Sequence, residues 1–178
     1  MMKPFTVKSS SWLVDVPFCR LEAQQVELPD GSNAKWYIRH AGPAVIIVPQ
    51  LNTGEILLQR SYKHGCGQII TELPAGLVDA HEAPIKAAQR ELLEETGYQS
   101  DHWTELGSHF SDPTGSTMRY HFWLAQDCQQ ITDPDLEPEE QIETFPVQDL
   151  ATAIAYLQES SNKGTVSALL GLMLASRI

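Results

Sequence analysis

Glu91, Glu94 and Glu95 fall at i, i+3 and i+4 in the segment Arg90-Glu-Leu-Leu-Glu-Glu-Thr-Gly-Tyr98. On a helix this spacing puts all of these carboxylates on one face. Negative charges crowded there repel one another, and the nearby helix C-terminus adds its own partial negative charge. A purely structural helix gains nothing from such an arrangement. A divalent cation removes the penalty. Hard carboxylate oxygens suit magnesium, which keeps several waters and also binds substrate phosphates. The chemistry open to such a face is metal-assisted attack of water on a phosphate.

For an isolated Glu-x-x-Glu-Glu the simpler reading is a solvated acidic face. Here the pattern has company. Upstream runs Gly76-Leu-Val-Asp-Ala-His-Glu82, separated from Arg90 by seven residues. Gly76, Glu82, Arg90, Glu91, Glu94, Glu95 and Gly97, with apolar Leu92 and Tyr98, resemble the box of the Nudix hydrolases at every specified position. At ordinary residue usage a chance match is on the order of 10⁻⁷. The resemblance implies a Nudix fold, an α/β/α sandwich with a mixed sheet. It also implies metal-dependent cleavage of the pyrophosphate bond in a nucleoside diphosphate derivative. By the same resemblance Glu91 and Glu95 are the principal carboxylate ligands, and Glu94 is a ligand or water-orienting group. The backbone carbonyl of Ala75 is a further ligand. Arg90 pairs with a box glutamate and fixes its orientation, and Glu82 stabilises the loop. The implied ion is Mg2+, with Mn2+ as a substitute.

The flanks resemble one branch of that family, the ADP-ribose pyrophosphatases. Glu72-Leu-Pro-Ala-Gly76 precedes the helix, Pro113 lies sixteen residues after Gly97, and Glu139-Glu-Gln-Ile-Glu143 matches a mobile acidic loop. The resemblance makes Glu140 a metal ligand or general base. It makes Lys63, Arg60, Glu72 and Pro113 the candidate substrate-binding residues. It implies hydrolysis of ADP-ribose to AMP and ribose 5-phosphate, and a homodimer whose N-terminal hairpins exchange contacts and stack on the nucleobase. Two positions depart from the branch. Lys63 stands where an arginine is usual, which removes the bidentate fork toward phosphate. Met118 stands near a position usually held by a glutamate. GDP- or ADP-hexoses and dinucleotide coenzymes are the competing substrates. A nucleotide-sugar sensor without turnover is the competing class, and it predicts degraded ligands where this chain has intact ones. His64, His109 and His121 have neither ligand nor triad spacing and read as structural.

The elements that must position these residues follow from punctuation and periodicity. Pro84 suits a helix's first turn and Gly97 its left-handed stop, so a helix is predicted over Pro84 to Glu95. Ala44-Val-Ile-Ile-Val48 reads as a strand buried on both faces. Asn52-Thr-Gly-Glu55 turns into a second strand, Ile56 to Gln59. Further strands are predicted at Thr104–Phe110, Tyr120–Ala125 and Ile142–Pro146, and helices at Gln148–Glu159 and Thr165–Ser176. Residues from about Phe18 to His40 read as a β-hairpin turning at Pro29-Asp30-Gly31. Gly42-Pro43 marks a boundary between an N-terminal antiparallel β and dimerisation region, residues 1–42, and a hydrolase domain, residues 43–178.

Composition narrows the partners. A formal net charge of −11 over 178 residues argues against non-specific nucleic-acid binding and against docking on anionic membranes. Bound cations reconcile that charge with a phosphate substrate. Met1 to Phe18 lacks the apolar core of a signal peptide, and the apolar stretch Ala168 to Ala175 is too short to span a bilayer. Cys19, Cys66 and Cys128 form neither a zinc pattern nor a disulfide framework. A reducing cytoplasm is the expected compartment.

Overall fold

A run such as Ala44-Val-Ile-Ile-Val48 offers no side chain to water and must be covered on both faces. A computed structural model, which describes residues 2–159 and 164–178, shows how. The chain forms two compact units. One comprises Met1–Pro43 with His109–Tyr120, and the other Ala44–Ser108 with His121–Ile178.

The larger unit is built on a sheet. In chain order the strands that lie in it, wholly or for most of their length, are β4 (Ala44–Leu51), β5 (Ile56–Lys63), β6 (Gln68–Glu72), β7 (Ala75–Leu77), β8 (Tyr98–Gln99), β9 (His102–Phe110), β10 (Arg119–Gln130) and β11 (Ile142–Val147). The strand order is β11-β5-β4-β10-β8, with β6 on β5, β7 on β4 and β9 on β10. Helix α1 (Pro84–Thr96) covers one face. Its Ala87, Ala88 and Leu92 pack with Val45, Ile47, Leu51, Leu57, Ala125 and Cys128. Helix α3 (Val166–Ala175) packs on β4 and on α2 (Leu150–Gln158). Gly171 of α3 faces Leu73, Phe122 and Val48 so closely that a methyl group there would press on Leu73. Ile47 and Val48 therefore look to opposite helices, which is why the run has no polar member. The arrangement is the expected α/β/α sandwich. Strands β6, β7 and β8 have no counterpart in the sequence reading. They are two to five residues long and are held by their partners rather than by a pattern of their own.

The smaller unit is an antiparallel sheet in the order β1-β2-β3, formed by Thr6–Val16, Cys19–Glu27 and Asn33–His40. The predicted hairpin is its β2–β3 half, in register from Arg20↔His40 to Glu27↔Asn33. The first strand is unexpected. Lys8-Ser-Ser-Ser11 has little β propensity, and pairing with β2 supplies what the local sequence does not. Strand β1 turns into β2 through Pro17-Phe18, with Phe18 in the left-handed region at φ 62°. The segment from His109 to Tyr120 closes the unit, with Arg39 N–H bonded to the Gly115 carbonyl and Thr117 N–H to the Arg39 carbonyl.

Candidate active site

Local geometry brings the box together. Helix α1 begins at Pro84 and stops at Gly97, whose φ of 75° lets its N–H return to the Leu93 carbonyl. The loop before the helix is closed by Glu82. Its Oε2 accepts the Asp79 N–H at 3.1 Å, and its two oxygens accept Arg90 Nε at 3.2 Å and Nη2 at 3.1 Å. The Arg90 hydrogen bond holds the Glu82 carboxyl below the usual carboxylate range. Arg90 Nη1 also reaches Glu91 Oε1 at 2.7 Å and Glu94 Oε2 at 3.0 Å, and Nη2 reaches the Leu77 carbonyl. This guanidinium joins loop to helix and neutralises part of the acidic face. Gly76 has a specific reason to be glycine: a Cβ there would fall inside the Glu91 carboxylate.

Glu95 is the buried member of the face, at 4% exposure. Its Oε2 accepts the Ala75 N–H at 2.9 Å and Gln59 Nε2 at 3.4 Å. Burial pushes its carboxyl up to about 8, with the neighbouring Glu91 and Glu72 charges adding to the rise. Burial likewise raises Glu91, against the pull of Arg90. Holding both ionised requires positive charge beyond that of Arg90.

Strand β5 supplies the next row. Gln59 and Ser61 are buried, Lys63 is half-buried, and Arg60 and Tyr62 are exposed on the alternate face. Lys63 Nζ lies 2.6 Å from Glu72 Oε1, and Ser61 Oγ donates to the same oxygen. A cavity of about 450 Å³ is lined by Ser61, Lys63, His64, Ala75, Glu95 and Glu140, among others. A second, of about 380 Å³, is lined by Arg90, Glu91, Glu94, Glu95, Asp135 and Glu140, with Leu136 and Glu137. Glu95 and Glu140 belong to both. The acidic loop is tied to the helix end it faces. Gly97 and Glu94 carbonyls, left open by the end of the helix, accept N–H groups of Ile131, Thr132 and Asp135. Glu140 Oε2 meanwhile accepts the Glu137 N–H at 3.0 Å.

The structure thus collects Ala75, Arg90, Glu91, Glu94, Glu95, Glu140 and Lys63 around two adjoining cavities, with Glu72 behind Lys63. Arg60 is directed elsewhere. It donates to the Tyr156 hydroxyl at 2.7 Å and lies 4.8 Å over the Phe145 ring. Pro113 belongs to the smaller unit, in a turn where Asp112 Oδ1 accepts the Thr114 and Gly115 N–H groups. The sequence reading gives Gln59 and Ser61 no role at the site. Their signal was two polar residues on the inward face of a strand otherwise closed to water.

Among the described residues, no three acidic, histidine or cysteine side chains converge on one point suited to an ion. Arg90 draws Glu91 and Glu94 toward itself, while Glu95 faces Ala75. The donor chemistry nonetheless fits a divalent cation. All the oxygens are hard, and burial pushes the Glu95 and Glu91 carboxyls toward neutrality, a penalty that a bound cation would relieve.

Comparison with known proteins agrees with this geometry. The NUDIX domain model matches residues 40–167. An ADP-ribose pyrophosphatase of Bacillus subtilis (strain 168) is 30% identical over 129 residues, which are 71% of this chain and 69% of that protein. One from Mycobacterium tuberculosis (strain ATCC 25618 / H37Rv) is 34% identical over 138 residues, 76% of this chain and 66% of that one. A crystal structure of an ADP compounds hydrolase superposes with a TM-score of 0.81 at 21% identity, covering 99% of this chain and 95% of its own. It shares the fold. The match across the box, its loops and the surrounding sandwich is enough to say that the chain belongs to the Nudix family of hydrolases.

Proposed function

We propose that the protein hydrolyses the pyrophosphate bond of ADP-ribose, giving AMP and ribose 5-phosphate, with Mg2+ as its ion. Nudix hydrolases generally need divalent metal ions. The observation that carries the reading is the placement of Lys63 and Glu140 on the cavity that Glu95 and Ala75 also line. Glu91, Glu95 and the Ala75 carbonyl would hold the cation, with Glu94 a further ligand. A cation bound there neutralises phosphate charge and lowers the pKa of the attacking water. Lys63 binds a phosphate oxygen, and the Glu72 carboxylate holds its ammonium on the cavity side of β5. Glu140 takes the proton from the attacking water. Arg90 keeps Glu91 and Glu94 oriented.

The test is a panel: ADP-ribose, GDP- and ADP-hexoses, and dinucleotide coenzymes, each with Mg2+, with products identified by chromatography. ADP-ribose should give the highest kcat/KM, and excess chelator should stop all turnover. Preference for a hexose would move the substrate assignment, and turnover in chelator would end the metal reading.

The proposed assembly is a homodimer joined through the N-terminal sheet. Every residue of the edge strand β1 is exposed, including Val7, Leu13 and Val16, and Phe18 at its turn is 97% exposed. A long, exposed edge strand that carries apolar side chains such as these is ordinarily covered. Trp12 and Trp36 are already engaged within the unit, by His40 and Arg20 and by Phe5 and the Thr114 carbonyl. Light scattering at micromolar concentration should give twice the chain mass, and Val7→Lys with Leu13→Lys should halve it. A monomeric wild type would contradict the dimer. Among the described residues no helix is long and apolar enough to cross a membrane, and the free thiols Cys19, Cys66 and Cys128 support the proposal of a reducing cytoplasm.

A further inference from the structure

Gln59 lies within β5 with no exposed surface. Its ladder neighbours are Glu72 on one side and Thr144 on the other. A fully buried strand position ordinarily takes an aliphatic side chain. An amide there loses its water, and this one is only half repaid: among the described residues its Oε1 has no hydrogen-bond partner. What Gln59 does reach is Glu95 Oε2, at 3.4 Å, the same oxygen that accepts the Ala75 N–H at 2.9 Å. The donors come from two different strands, β5 and β7, so together they fix the carboxylate in direction as well as position. A side chain that weakens the core and touches a candidate ligand is placed for the ligand.

We propose that Gln59 is a positioning residue: with the Ala75 N–H it holds one oxygen of Glu95 from behind and leaves the other for the cavity and a cation bound there. Hydrogen bonds of this kind behind a ligand set its orientation and raise metal affinity. The inference rests on the metal reading above. It assigns a role to a residue outside the box, 36 positions from Glu95 in the chain.

The test measures Mn2+ binding alone, by calorimetry, without substrate. Gln59→Met keeps the volume and removes the amide. It should weaken Mn2+ binding roughly 10- to 100-fold and leave the Tm of the metal-free protein unchanged or higher, because the orphaned acceptor is gone. Leu172→Ala is the control for mere loss of stability. Leu172 is fully buried on α3 and hydrogen-bonds no box residue through its side chain. That variant should melt earlier and bind Mn2+ as the wild type does. Binding by Gln59→Met within twofold of wild type would overturn the proposal, and so would an equal loss in Leu172→Ala. A Gln59→Met chain that fails to fold, with Gln59→Leu failing likewise, would also overturn it, since the amide would then serve the core. Absence of Mn2+ binding by the wild type would overturn the metal reading itself, a result distinct from a variant that binds normally.

Discussion

Glu95→Gln should cut kcat on the order of 10³-fold and, in the metal-free protein, raise the melting temperature above neutral pH. Both effects come from one carboxyl. On the proposed mechanism it carries charge to the cation, and an amide of the same shape does not. In the absence of metal that same charge is a burden. Burial holds the Glu95 carboxyl up at about 8 in the folded protein, far above the unfolded value of about 4.3. The folded state therefore binds the proton more tightly than the unfolded state across that interval. Its contribution to stability is full below the unfolded pKa and is lost as pH rises through 8. Gln59 and the Ala75 N–H can still meet a glutamine oxygen, so the variant keeps the contacts and escapes the loss. In chelator, the Tm of the variant minus that of the wild type should grow from pH 5 to pH 9. Parallel curves over that range would mean that Glu95 is not held as described. An active variant would remove it from the metal site.

Glu140→Gln is expected to lower kcat by about 10² to 10⁴, with KM changed far less. Glu140 lines both cavities, and its loop is tethered at Asp135 to the Glu94 carbonyl. The tether fixes one end of the loop at the box, and the six residues from Asp135 to Glu140 then set how far the carboxylate can travel. In this arrangement Glu140 Oε2 is occupied by the Glu137 N–H, a hydrogen bond within one turn that substrate can replace at small cost. Loss of rate without loss of affinity would identify a group that acts on the attacking water. A variant with near-normal kcat would shift the base to a box glutamate. Glu94 is the candidate in that case, since among the described residues its side chain is hydrogen-bonded by Arg90 alone.

The sequence alone determined what depends on near neighbours. Helix α1, its proline start and its glycine stop were legible because they follow from residues within a few positions of one another. So was the shared face of Glu91, Glu94 and Glu95, because helical geometry converts their spacing directly into position. The doubly covered strand Ala44–Val48 was legible because an unbroken apolar run has few other places to go. The family resemblance added the sandwich and the reaction class.

The tertiary structure decided everything that depends on distant strands. Strand β1 was hidden because Lys8-Ser-Ser-Ser11 has no strand signal, and its ladder comes from β2. Arg60 and Lys63 read alike as cations. The alternation of β5 sends one to Tyr156 and Phe145 and the other to Glu72 and the cavity. The partners of Glu95 come from positions 20 and 36 residues away. Register sets these pairings: on a strand, one residue of slip exchanges the two faces, and only long-range pairing across the sheet selects between them.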